Sequence, residues 1–233
     1  MDALRIKWFG THAMDGYERV ERWLATVRSE LPDALPVRYR SREGSSAFDW
    51  SERMLFRDAA RTGSVSWEST PPFFGGFMVG VKSPLQKRSP PFVSTTLSVN
   101  YWGMLEDTLM QQIFSAVGSI GEALGAFYAM GLHDENLFLV GGRLAHGLGS
   151  KAPAPNVMNQ DGWLGLPWKD VDVEWFGPDY VPLLGEPARM HGEPSGGGVF
   201  MRYESAAQRF ALLPVALLAT YPDGGPAATI PSL

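Results

Sequence analysis

Leu4-Arg5-Ile6-Lys7-Trp8-Phe9-Gly10, Leu97-Ser98-Val99-Asn100-Tyr101-Trp102-Gly103 and Val171-Asp172-Val173-Glu174-Trp175-Phe176-Gly177 share one seven-residue frame. Each alternates apolar and polar residues, then ends in two aromatics and a glycine. Alternation with period two puts the apolar set on one face of a strand and the polar set on the other. The closing glycine allows the backbone a tight exit. A helix-like segment follows the first two copies clearly and the third only briefly. The frame is a sheet-building unit, and it names no reaction.

Outward from these copies, residues 15–31 read as a helix. Asp15 and Glu18 have capping-box spacing, Val20, Leu24 and Val27 recur at helical intervals, and Pro32 ends the run. Strands are expected over 37–42, 64–69, 77–82, 92–102, 137–140 and 199–203, and a second helix over 50–61. The segment 104–131 carries Leu105, Leu109, Ile113, Val117, Ile120, Leu124 and Phe127 at intervals of three or four, and is expected to be one long helix. Gly118, Gly121 and Gly125 share a second face of it. Each costs about 1 kcal/mol against Ala in a helix, so their alignment implies another backbone at close range. Residues 212–221 read as a final apolar strand or short helix. This order predicts an α+β fold: a mostly antiparallel sheet with helices on one face, compatible with two ferredoxin-like halves. Residues 1–233 are expected to form a single domain, with a mobile loop at 141–162 and a frayed tail from 222.

Composition narrows the chemistry. The chain has 233 residues and no cysteine, which excludes thiol nucleophiles, zinc–thiolate sites, iron–sulfur clusters and disulfides and fits a reducing compartment. The net charge is −5 and the isoelectric point about 5.4, the wrong balance for a dedicated nucleic-acid surface. The short basic run Arg38-Tyr39-Arg40-Ser41-Arg42 reads as the solvated face of an edge strand. The N-terminus lacks the basic-then-apolar pattern of a signal peptide. The most apolar segment, 108–132, is broken by Gln111, Gln112, Ser115, Ser119 and Glu122, so a helix packed on a sheet explains it better than a membrane span. No membrane partner is expected, and the cytoplasm is the expected location.

Four histidines, His12, His133, His146 and His191, are the obvious acid–base candidates. His133-Asp134-Glu135 is the densest cluster, but neighbours in sequence point in different directions and rarely converge on one ion. It reads as a polar turn ending the long helix. His146 sits in the glycine-rich loop with nothing spaced to partner it. No G-x-S-x-G, P-loop or dinucleotide fingerprint is present. No catalytic residue, cofactor or metal site is therefore assigned, and the chain is read as a non-enzyme. The carboxylates are more suggestive as a surface. Asp170, Asp172 and Glu174 share the polar face of the third frame copy, Asp179 follows, and Trp163 and Trp168 would suit interface anchors. Such a stripe could meet Lys and Arg of a basic protein partner, or it could be a solvated sheet face.

Trp175-Phe176-Gly177-Pro178-Asp179-Tyr180-Val181-Pro182-Leu183-Leu184-Gly185, followed by Gly196-Gly197-Gly198-Val199-Phe200-Met201, resembles immunity proteins of bacterial polymorphic toxin and type VI secretion systems. The immunity-protein-52 family is the nearest by these motifs, which with Ile6-Lys7-Trp8-Phe9-Gly10 span about a third of the chain. The resemblance implies an α+β inhibitor that binds a cognate toxin, a nuclease in many such systems, and occludes its active site. An adaptor or chaperone for a secreted effector is the alternative, and a small hydrolase or metal-dependent enzyme using His133, Asp134 and His146 ranks below both.

Overall fold

A computed structural model describes residues 3–10, 13–40, 48–49, 52–62, 65–79, 93–100, 107–134, 137–140, 143–146, 158–160, 163–166, 171–214 and 217. Strand β1 (Ala3–Gly10) leads into helix α1 (Gly16–Glu30), then β2 (Pro36–Arg40), β3 (Phe48–Asp49) and α2 (Glu52–Thr62). Strands β4 (Val65–Ser69), β5 (Phe73–Val79) and β6 (Val93–Asn100) precede helix α3 (Asp107–Ala123) and strand β7 (Ala126–Asp134). Two small hairpins follow, β8 (Leu137–Val140) with β9 (Arg143–His146) and β10 (Met158–Gln160) with β11 (Trp163–Gly165). The chain then makes β12 (Val173–Phe176), α4 (Glu186–His191), β13 (Glu193–Ser195), β14 (Gly198–Arg202) and α5 (Ala206–Leu212).

Ten strands form one sheet in the order β13-β14-β12-β7-β1-β6-β5-β4-β2-β3, and every paired neighbour is antiparallel. The fold is α+β with an antiparallel sheet, as the alternation predicts. The expectation of two ferredoxin-like halves is corrected. Following β1-α1-β2, then β6-α3-β7, the order β7-β1-β6-β2 is one ferredoxin-like βαββαβ unit, widened by β4 and β5 between β2 and β6. The first frame copy and Leu97–Asn100 of the second lie in its two central strands, paired Ala3 to Asn100 through Gly10 to Val93, and Tyr101, Trp102 and Gly103 lie outside the described residues. The third is β12, which with β14 and β13 extends the β7 edge.

Helix α1 begins where expected: the Asp15 side chain accepts the Glu18 amide hydrogen at 2.8 Å, and Arg22 pairs with Glu18 on the outer face. Val20, Trp23, Leu24 and Val27 face Leu4, Ile6 and Trp8 of β1, and Ile113, Val117 and Ile120 of α3 join the same core. The Trp8 indole donates to the Val117 carbonyl at 2.9 Å, so the largest ring of β1 enters that core without losing its hydrogen bond. Helix α2 packs on α1 through stacked Tyr17 and Phe56, and Asp58 accepts the Tyr39 hydroxyl from β2. Tyr39 is buried and β2 lies between β4 and β3, so the basic run is not an edge strand.

Three long-range expectations change. Helix α3 ends at Ala123, not near 131: Gly125 adopts φ +59°, which L side chains resist, and β7 starts at Ala126. His133 and Asp134 therefore end a strand. Strands β9 and β10 lie inside the region expected to be loop, and the remainder of 141–162 lies outside the described residues, as do 222–233. Finally, the face of β1, β7, β12 and β14 opposite α1–α3 is covered too. Residues 177–214 and Leu217, with α4, α5 and a short 3₁₀ turn (Val181–Leu183), bury Phe9, Tyr128, Met130, Phe176 and Met201 in a second core. Among the described residues no helix is long and apolar enough to cross a membrane.

Candidate functional site

Both faces of β12 are buried, and its polar residue had to be dealt with locally. Glu174 pairs in register with Met130 of β7 and Met201 of β14, on the second-core face. It is 0% exposed. Arg209 of α5, equally buried, reaches it from 35 residues away with Nε to Oε2 at 2.9 Å and Nη2 to Oε1 at 2.6 Å. The Tyr203 hydroxyl donates to Oε2 at 2.7 Å, and the Tyr128 hydroxyl donates to Oε1. Each carboxylate oxygen thus accepts two hydrogens, the saturation a buried charge needs. Burial, reinforced by the Glu174 charge, pushes the Tyr128, Tyr203 and Tyr180 hydroxyls above their usual range. Burial alone would lower the Arg209 guanidinium, but the carboxylate outweighs it and the net direction is upward. The Tyr128 and Tyr203 hydroxyls and two guanidinium nitrogens of Arg209 all donate to this one carboxylate, which fixes α5 against the sheet. Helix α5 is itself capped: the Gln208 amide donates to the Ser205 hydroxyl at 3.3 Å, and the Gln208 side chain accepts from the Glu204 amide at 2.6 Å.

With α5 held on one side of β14 and α3 on the other, a groove of about 1030 Å³ opens around the end of that strand. Phe114 of α3 and Phe200 of β14 form its apolar floor, ring centroids 5.5 Å apart. Arg202 lays its guanidinium over Phe114 at 5.5 Å. Glu193, Glu204 and Asp172 bring carboxylates to its rim, and His191 approaches the Arg202 carbonyl at 3.2 Å. The floor is rigid because the β13–β14 turn is pressed into α3. A Cβ on Gly118 would lie 2.7 Å from the Ser195 carbonyl carbon, and one on Gly196 would lie 2.2 Å from the Gly118 carbonyl oxygen. Gly121 makes room for the Trp175 ring, whose indole donates to the Ser195 carbonyl at 2.7 Å. The glycine face read from the sequence marks this contact at Gly118. Gly125 serves the helix stop instead.

Of the acidic stripe read from the sequence, Glu174 does not reach the surface. Glu174 is sealed in the ion pair and can touch no partner. Asp172 is half-buried: its Oδ2 accepts the His133 amide at 2.7 Å while its backbone ties β7 to Tyr203, and it borders the groove. Asp179 is exposed in the turn after β12, and Trp163 begins β11. Asp170 and Trp168 lie outside the described residues, as do His12 and Glu135. Among the described residues no three His, Asp or Glu side chains are grouped as a metal site. Sequence reading missed Arg209, Tyr128, Tyr203, Glu193 and Glu204. One signal was available for the burial of Glu174: Phe176 shares its face two residues on, so that face was never wholly polar.

No family model matches the chain, and no curated protein matches it. Among solved structures the fold is similar to that of the Pseudomonas aeruginosa T6SS protein PA0821. The TM-score is 0.51 at 10% identity, over 87% of this chain and 68% of that one. The likeness is one of fold.

Proposed function

We propose that this protein is an immunity protein. It binds a cognate bacterial toxin effector in the cytoplasm and neutralises it by covering the toxin's active site, without catalysis of its own. Two independent routes support the reading: the immunity-like motifs around Trp175 to Gly185, and a fold similar to that of a type VI secretion protein. The observation that carries it is the groove at the end of β14. Buried hydrogen bonds hold the elements around it, and it presents Arg202 and three carboxylates above the packed Phe114 and Phe200 rings, a pre-formed concavity that a protein partner can enter.

The test is co-expression with the product of the neighbouring toxin-domain gene. Restored growth together with a stoichiometric complex is the expected result. Binding without protection would reassign the chain as an effector adaptor, and substrate turnover by the purified protein would overturn the reading.

A further inference from the structure

Strand β1 is where the second core stops. On its β7 side that face carries Tyr128 and Met130, and on its β6 side Ser94, Thr96 and Ser98, three buried hydroxyls. Between them β1 presents Arg5 and Lys7, two residues apart on the same face and half-buried. The register sets Lys7 opposite Thr96 and Arg5 opposite Ser98. Directly opposed residues bring their Cβ atoms to about 5 Å, so an amine, a guanidinium and two hydroxyls share one small patch. Thr96 is 4% exposed, and its Oγ1 has no hydrogen-bond partner among the described residues, where a buried hydroxyl ordinarily has one. The Lys7 amine lies over the Phe9 ring at 4.9 Å. Burial and then Arg5 lower it to about 8. The other ionisable groups toward β7, Tyr128 and the Glu174–Arg209 pair, are hydrogen-bonded to one another.

We propose that Lys7 is an acylation site whose donor is an acyl phosphate, with the phosphate against Arg5 and Ser98 and the carbonyl oxygen against the Thr96 hydroxyl. The Nζ lone pair attacks the acyl carbon, the C–O bond to phosphate breaks, phosphate leaves with that electron pair, and the nitrogen gives its extra proton to water. Arg5 holds the phosphate, and Thr96 donates to the oxygen on which negative charge develops. At about pH 7.5 roughly a quarter of Lys7 is uncharged amine, some ~200-fold more than in a lysine of pKa ~10.4. The product is a neutral amide, so the modification removes a charge that burial disfavours. This site is separate from the groove and does not depend on the toxin-binding reading.

The test incubates the full chain with acetyl phosphate at about pH 7.5 and follows its five lysines by peptide mass spectrometry, with acetic anhydride as an uncharged donor. Lys7 is expected to react with acetyl phosphate about tenfold faster than the other four, and to lose that advantage in urea. Arg5→Met should slow Lys7 about tenfold more with acetyl phosphate than with acetic anhydride. Thr96→Val, a change of nearly equal shape that leaves the charges in place, should slow both donors about tenfold. Acetylated chain should unfold at a higher urea concentration than unmodified chain, and Lys7→Met should abolish that gain. Lys7 reacting no faster than the other lysines in the folded chain overturns the site. Arg5→Met slowing both donors equally overturns the acyl phosphate as its donor, and an unchanged rate in Thr96→Val overturns the part given to that hydroxyl.

Discussion

Replacing Arg209 with methionine removes the counter-charge of a carboxylate that is 0% exposed, leaving Glu174 with two phenolic donors. An uncompensated buried charge of this kind costs about 3–5 kcal/mol. Domains are typically stable by only about 5–15 kcal/mol, so R209M should remove a large share of the total. The same pair replaced on both sides behaves differently. Glu174→Leu/Arg209→Met removes both charges but orphans the Tyr128 and Tyr203 hydroxyls, at about 1–3 kcal/mol each. Adding Tyr128→Phe and Tyr203→Phe removes those as well and should bring stability back to within about 1 kcal/mol of wild type. Urea unfolding followed by the fluorescence of the eight tryptophans measures each step. Because Arg209 is the tie between α5 and the sheet, hydrogen exchange in R209M should rise first over residues 206–213 and only later in β1 and β6. A loss below 1 kcal/mol in R209M, or a quadruple variant as unstable as R209M, would refute the assignment of the pair as the anchor.

Tyr128, Tyr180 and Tyr203 keep their protons above the ordinary tyrosine range, so the unfolded chain releases them first as pH rises. Stability from this source is full below pH 10 and falls above it by about 1.4 kcal/mol per pH unit for each ring, and absorbance at 295 nm should show the three ionising only as the fold is lost. Lys7, over the Phe9 ring at 4.9 Å, is lowered to about 8 by burial and then by Arg5, so the folded state disfavours its charge. Stability should rise between about pH 8 and 10.5 from this residue, and K7M should raise the urea midpoint at pH 7 and remove that rise. Gly118→Ala drives a methyl to within 2.1 Å of the Ser195 hydroxyl and 2.7 Å of its carbonyl carbon, and thermal denaturation should report a loss of about 1–3 kcal/mol.

Much of the sheet was legible because its physics is local. Alternation in β1, β4 and β6 and the Asp15 cap of α1 are read within a few residues, and they place the first core correctly. The segment 124–131 was misread because Leu124 and Phe127 continue the helical spacing of α3. The turn at Gly125 is a backbone event that side-chain periodicity does not report. The groove was hidden for another reason: its floor and rim come from α3, β12–β14 and the turn before α5, segments up to about 90 residues apart that only packing brings together.

The amino-acid order alone determined that this chain makes an antiparallel sheet from a repeated aromatic-ended strand, with helices packed through Trp and branched aliphatic side chains. Burial of an alternating apolar face needs no knowledge of the partner. Tertiary structure decided what the polar residues of those strands do. Glu174 reads as surface until Arg209, Tyr128 and Tyr203 arrive from distant segments. Once water is excluded from both faces of β12, only such a saturated set of hydrogen bonds can hold its charge.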